Sequence, residues 1–225
     1  MLLALILKHK EMQQVEGKRA ENSPTLVVAP LSLITQWEEE IKTKTSLSCR
    51  VWYGDQAKGK ASCDDFDVDV VITTYGKMQG EFQRRKQDSG SVNDKGYNLL
   101  QQEWLRVILD EAHCIKNQAT LASKACCSLT AKYRWVVTGT VIHNSLDDVF
   151  GLLKFLQHQP WSEAAFWKTA ITTEMNRVSK SESGVTDEPD GQQPGMTVAL
   201  GRVRRLLGPL MLRRTKNSLS ADGYV

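Results

Sequence analysis

Leu105-Arg106-Val107-Ile108-Leu109-Asp110-Glu111-Ala112-His113 is the stretch on which the reading of this chain turns. A short, β-branched apolar run breaks off at two adjacent carboxylates, which is how a buried parallel strand presents acid groups at its C-terminal edge. Hard cations such as Mg²⁺ prefer oxygen ligands, and two carboxylates at such an edge can hold one and polarise a water beside it. A second apolar run, Tyr133-Arg134-Trp135-Val136-Val137, ends in Thr138-Gly139-Thr140.

The pattern extends outward in both directions. Thr25-Leu26-Val27-Val28-Ala29 reads as a buried strand stopped by Pro30, after which Ser32 is placed to cap a helix running through Trp37 to about Ile41. Ser48 to Tyr53 and Asp69 to Thr74 are further strands, the latter closed by Tyr75-Gly76; Leu105 to Leu109 and Arg134 to Val137 complete the set. Helical spacing marks Met1 to about Gln14, Thr120 to Leu129 and Leu146 to Leu156. Continuous apolar strands alternating with helices predict an α/β fold with a parallel, doubly wound sheet.

Two segments break that rhythm. Gln79 to Asn98 is polar, with Arg84-Arg85-Lys86 and Ser89-Gly90-Ser91, and reads as a surface insertion. Ser179 to Gly195 carries Glu182, Asp187, Glu188 and Asp190 with Pro189 and Pro194, and reads as a disordered linker. From Pro160 to Met175, Trp161, Phe166 and Trp167 recur at helical spacing, a stripe expected to pack into a core. The division expected is a sheet lobe over 1–157, a helical extension over 158–216 and a tail over 217–225.

Composition sets the outer bounds. A chain of 225 residues, 41% hydrophobic and 24% charged, is that of an ordinary globular protein. Lys+Arg 29 against Asp+Glu 26 leaves a net charge of +3, so global charge alone does not indicate nucleic-acid binding. The stretch Gly201 to Lys216 is different, holding Arg202, Arg204, Arg205, Arg213, Arg214 and Lys216 and no acid. It either touches phosphates or forms a solvated helix face. Cys49, Cys63, Cys114, Cys126 and Cys127 include no Cys-x-x-Cys pair, which argues against a disulfide framework or a structural zinc site and for reduced intracellular thiols. Met1 to Leu7 is apolar but lacks a basic leader and a small-residue cleavage site, so it reads as a buried helix and not a signal peptide. No apolar run approaches the length of a membrane span.

Five segments occur here in the order found in Swi/Snf-type ATPases: Leu26-Val-Val-Ala-Pro-Leu-Ser-Leu-Ile-Thr-Gln-Trp37, Val70-Val-Ile-Thr-Thr-Tyr-Gly76, Asp110-Glu-Ala-His113, Val136-Val-Thr-Gly-Thr140 and Leu210-Met-Leu-Arg-Arg-Thr-Lys216. The chain therefore resembles these helicase-related DNA translocases of superfamily two over nearly its whole length. The Arg-Arg-Thr-Lys ending and the Trp-rich segment are most similar to the branch of helicase-like transcription factor and the yeast post-replication-repair translocases. The resemblance implies a mostly parallel RecA-like sheet, the first motor lobe, using ATP and Mg²⁺ on duplex DNA. It implies that Asp110 holds Mg²⁺ through water, that Glu111 polarises the attacking water, and that His113 relays to the turn Thr138-Gly139-Thr140, which couples nucleotide state to DNA. Pro30, Ser32, Leu33, Thr73, Thr74, Arg213 and Arg214 fall where the family contacts the DNA backbone, hydroxyls and helix N-termini being suited to phosphates. A nuclear location, and chromatin or ubiquitin-pathway partners for the intact parent, follow from the resemblance alone.

Three departures accompany the matches. The family's Gly-Lys-Thr phosphate loop, expected just before the first helix, and the second RecA-like lobe with its arginine fingers are not among these residues, so the resemblance implies truncation at both ends. Val141 and His143 stand where the family usually has Pro and Gln. A phosphate loop supplies several charge-assisted hydrogen bonds at roughly 1.5–3 kcal/mol each, so losing three removes about 5–9 kcal/mol of ATP binding. That is at least about a thousandfold in affinity. The missing arginine removes roughly a further 10³–10⁵ in rate. The expectation is a translocase fragment whose hydrolysis, on its own, is negligible. The rival expectations are a non-catalytic DNA- or protein-binding module, or a piece that does not fold alone.

Overall fold

The computed structural model describes residues 1–15, 24–54, 66–87, 98–142, 145–177 and 194–213. They divide into two compact units, Met1–Ser162 and Glu163–Val225.

The first unit is built on a five-stranded sheet: β1 (Thr25–Ala29), β2 (Cys49–Val51), β3 (Val70–Thr74), β4 (Glu103–Leu109) and β5 (Thr130–Val136), in the order β2-β3-β1-β4-β5. Every pairing is parallel. Parallel neighbours need a crossover, and α2 (Ile34–Lys44), α3 (Tyr75–Gln87) and α4 (Leu121–Cys127) lie in three of them. With α1 (Leu2–Val15) before the sheet and α5 (Asp147–Leu156) after it, helices cover both faces. The two-residue period of the strands sorts the core. Leu26, Val28, Val107 and Leu109 join Met78 of α3, Ala125 and Cys126 of α4 and Leu152 and Phe155 of α5. Val27, Ala29, Ile72 and Ile108 join Ile6 of α1 and Ile34 and Ile41 of α2 on the other side. The parallel α/β reading of the sequence is thus met.

Several details differ from the sequence reading. Ser32 does not cap α2: a 3₁₀ turn over Leu31–Leu33 intervenes, the cap position falls to Leu33, and no side chain bonds the helix start. Residues 79–87 of the expected insertion are helix α3, and Glu81 within it is buried. Its two oxygens accept the Trp52 indole N–H at 3.1 Å and the Leu99 amide at 2.9 Å, with the Lys77 ammonium 3.4 Å away. Residues 88–97 lie outside the described residues, as do 179–193 of the expected linker; Pro194 already begins a helix. β5 starts four residues earlier than the expected strand Arg134 to Val137, at Thr130, and carries Tyr133 and Trp135 exposed.

Asp69, just before β3, ties three parts of this unit together. Its carboxylate meets the Lys10 ammonium of α1 at 2.7 Å and accepts the Ser48 amide and hydroxyl at 2.8 Å, ahead of β2. Burial on its own would push the Asp69 carboxyl up, but the Lys10 and Ser48 bonds hold it below the ordinary aspartate value. A lowered folded value means that the stabilisation is present above the unfolded value, near 3.9, and is lost as pH falls through the folded one. Asp69→Asn is therefore expected to lower stability at pH 7 by about 1–2 kcal/mol. Urea denaturation should show that deficit closing below about pH 4, and a deficit unchanged at pH 3 would contradict it.

In the second unit, α6 (Ala164–Trp167) passes through a π-helical turn, Lys168–Thr172, into α7 (Thr173–Arg177), and α8 (Pro194–Leu210) packs against the turn and α7. Ala199, Val203 and Leu206 of α8 are buried at helical spacing, with Trp167 and Ile171 also buried. The aromatic stripe is core only in part, because Phe166 is exposed. Arg202 points inward, donating to the Ala170 carbonyl and lying 3.8 Å from Glu174, while Arg204, Arg205 and Arg213 are exposed.

Candidate functional site

Because the strands run parallel, their C-terminal ends share one edge, where open α/β sheets place their ligands. Ala29 pairs with Thr74, Val28 with Leu109, and Leu109 with Val136. Pro30, Tyr75, Asp110 and Val137-Thr138 therefore emerge side by side.

Asp110 is the most heavily tied residue of that edge. Its amide donates to the Val28 carbonyl at 2.8 Å, carrying the ladder one step past β4. Its carboxylate accepts the Trp37 indole N–H on Oδ2 at 2.8 Å and the Glu111 amide on Oδ1 at 3.0 Å. Its carbonyl accepts the Tyr75 hydroxyl at 2.8 Å. Burial pushes the Tyr75 phenol far up, so it stays protonated and keeps donating. Glu111 takes a left-handed backbone, φ 49° and ψ 48°, uncommon for a residue with a long side chain. The following amide, of Ala112, bonds the Val137 carbonyl at 3.0 Å and anchors this turn to the end of β5. Glu111 Oε2 lies 3.1 Å from His113 Nδ1, both side chains being solvent-accessible.

The two carboxylates turn to different partners. A cavity of about 670 Å³ runs along His113, Lys116, Asn117, Thr140 and Asp148, and neither Asp110 nor Glu111 lines it. Asp110 is turned inward to the α2 indole and Glu111 outward to the imidazole. The Thr138-Gly139-Thr140 turn is closed on itself: the Thr138 hydroxyl donates to the Thr140 carbonyl at 3.0 Å and accepts its amide at 3.3 Å. His113 and Thr140 meet only as neighbours on the cavity wall.

The residues assigned to the DNA backbone separate by exposure. Ser32 is exposed, and Pro30 and Leu33 are half-buried, on the turn that leaves β1. Thr73 is wholly buried and spends its hydroxyl on the Trp52 carbonyl at 2.9 Å, so its side chain has no reach to a phosphate. Thr74, also buried, accepts the Lys77 amide at 3.1 Å and caps α3. Arg213 is exposed in the second unit, and Arg214 lies outside the described residues.

Three features of this edge went unassigned in the sequence. Trp37 and Tyr75 both stand in segments quoted above, yet nothing in their spacing says that they meet Asp110. The third is Lys116, whose buried ammonium lies 3.6 Å from Asp148 and has no hydrogen-bond acceptor. The same turn is pressed against Gly151 of α5, where a Cβ would stand 2.2 Å from the Lys116 carbonyl oxygen.

The donor set can be tested against a cation. Among the described residues no group of three or more His, Cys, Asp and Glu side chains is arranged to hold a metal. Each Asp110 oxygen accepts one protein hydrogen bond and keeps a further lone pair. That set fits a Mg²⁺ held through water by one carboxylate with phosphates completing its shell, the ordinary mode for this ion.

The chain has relatives among known proteins. The chain is 34% identical over 93% of its length to DNA repair protein RAD5 of Candida glabrata, and 37% identical over 92% to that of Gibberella zeae. It spans 18% of the length of each. The Sulfolobus solfataricus SWI2/SNF2 ATPase core in complex with dsDNA is similar in structure, with TM-score 0.62 and 28% identity, over 94% of this chain and 38% of that one. The same core domain alone gives TM-score 0.62 at 26% identity. The resemblance read from the five segments is borne out. With the SNF2-related domain model matching residues 1–223, the chain belongs to the SNF2-related domain family.

Proposed function

We propose that Met1–Ser162 is the nucleotide-facing lobe of an ATP-dependent motor that moves along duplex DNA in DNA repair or chromatin remodelling. The observation that supports this reading best is the convergence on Asp110 of the segments that follow β1 and β3, through Trp37 and Tyr75. In this reading Asp110 holds Mg²⁺ through water with its remaining lone pairs. Glu111, oriented by His113, draws a proton from the attacking water. Thr138, Gly139 and Thr140 pass nucleotide state toward the DNA. Pro30, Ser32 and Leu33 meet the backbone at the start of α2, and Arg213 and Arg214 are kept as separate backbone contacts. Thr73 is dropped from that set because its hydroxyl is committed inside the core. Bound ATP and Mg²⁺ supply the phosphoryl group and the charge neutralisation for its transfer. Nuclear location and chromatin or ubiquitin-pathway partners belong to the same reading.

These 225 residues hold no Gly-x-x-x-x-Gly-Lys-[Ser/Thr] loop, so ATP turnover by them alone is expected at background. What the chain does alone is then bind, the second reading, which the exposed Arg204, Arg205 and Arg213 favour. Fluorescence anisotropy of the 225-residue chain with a labelled duplex tests both. Affinity is expected to fall roughly tenfold or more between about 50 and 200 mM salt, as release of two or more counterions requires. Absence of salt-sensitive binding would remove DNA from the proposal, and turnover above a protein-free blank would overturn the background expectation.

A further inference from the structure

We propose that Trp37 is a positioning residue through which contact at the Leu31–Leu33 turn is transmitted to the Asp110 carboxylate. Resting as it does on the reading of Asp110 as the cation-holding group and of that turn as phosphate-facing, the link adds a physical path between the two. The 3₁₀ turn runs into α2 without a break, and Trp37 stands in the first turn of that helix. Ile34 and Ile41 are buried and key α2 onto the sheet, while Leu31 and Ser32 at its entry are exposed. The Trp37 ring packs, half-buried, against the Val27 and Ile108 cluster, so it moves with α2. Its indole N–H is a donor only, and at 2.8 Å it fixes one lone pair of Asp110 Oδ2.

With Oδ1 held by the Glu111 amide, the plane of the carboxylate is set by two donors. Of the two donors, Trp37 is the one on the helix entered through the Leu31–Leu33 turn. A displacement of α2 by a phosphate at its start therefore rotates the carboxylate and redirects the lone pairs left for a hydrated cation. The Tyr75 hydroxyl acts differently, pinning the Asp110 carbonyl and leaving the side chain to Trp37.

The test uses the 225-residue chain, ¹⁵N-labelled, with Mn²⁺ alone standing for the cation and a short DNA duplex. The Trp37 indole resonance, assigned by its loss in Trp37→Phe, is expected to broaden with Mn²⁺ and to shift with duplex. Mn²⁺ affinity by electron paramagnetic resonance is expected to rise about fivefold or more when duplex is saturating, with the reciprocal rise in duplex affinity that linkage demands. Trp37→Phe keeps a ring in the apolar cluster and removes the N–H. It is expected to cut that coupling below about twofold, whatever its effect on the affinity for each ligand alone. Coupling retained in Trp37→Phe, or absent from the wild type when both ligands bind, overturns the inference and leaves the motor reading standing. Failure of Mn²⁺ to bind and broaden the Trp37 resonance overturns the inference alone, whereas failure of duplex to bind removes DNA from the motor reading as well. Should Trp37→Phe not fold, an indole resonance in the wild type that ignores duplex is enough to reject the link.

Discussion

Gly151→Ala is expected to destabilise the first unit by about 3 kcal/mol or more, although it places a better helix former inside α5. Propensity alone would favour the alanine by about 1 kcal/mol. Space decides against it: the new Cβ would stand 2.2 Å from the Lys116 carbonyl oxygen and 2.7 Å from its carbon. Those are backbone atoms of the segment that follows His113, with no flexible side chain to yield. Either α5 lifts from the sheet, exposing Leu152 and Phe155, or the turn carrying Glu111 and His113 shifts. Urea denaturation of the purified chain measures the loss, and a cost under about 1 kcal/mol would contradict so close an approach of α5 to the Lys116 carbonyl.

Asp148→Ala, one turn earlier on the same helix, is expected to cost about 3–5 kcal/mol. The Lys116 ammonium is buried, has no hydrogen-bond acceptor and lies 3.6 Å from the Asp148 carboxylate. Removing that carboxylate strands a desolvated charge. Asp148 also lies in the first turn of α5, where a negative charge adds about 0.3–1 kcal/mol through the helix dipole. The double variant Asp148→Leu with Lys116→Met is expected to recover most of the loss, because apolar replacement of both partners is often neutral. A double variant as unstable as the single one would locate the effect elsewhere than in the ion pair.

The sheet was legible in the sequence because parallel strands buried on both faces are written as continuous apolar runs, and β1, β3 and β4 are of that kind. β5 was read four residues short since it is half-exposed and opens with Thr130-Ala131-Lys132. Helix α3 was hidden by its Gln and Arg surface and by Glu81, a carboxylate that only the folded chain supplies with the Trp52 and Leu99 donors. Asp110 and Glu111 could be placed at a strand end from their order alone. Their orientations could not, because the Trp37 and Tyr75 contacts join positions 73 and 35 residues apart. The Thr73 hydroxyl shows the same limit: its strand could be read from the sequence, and its inward direction to the Trp52 carbonyl could not.

The left-handed turn at Glu111 bears on how variants of this chain sort themselves. A side chain held in that conformation costs about 1–2 kcal/mol relative to glycine, which adopts it freely. Pressure for a well-behaved fold, acting alone, would drift position 111 toward glycine, and, on the role proposed above for Glu111, pressure for turnover would hold it acidic. Conformational comfort and reactivity therefore pull in opposite directions at one backbone atom pair, and hardier descendants of this unit would be expected to arise there as disarmed ones.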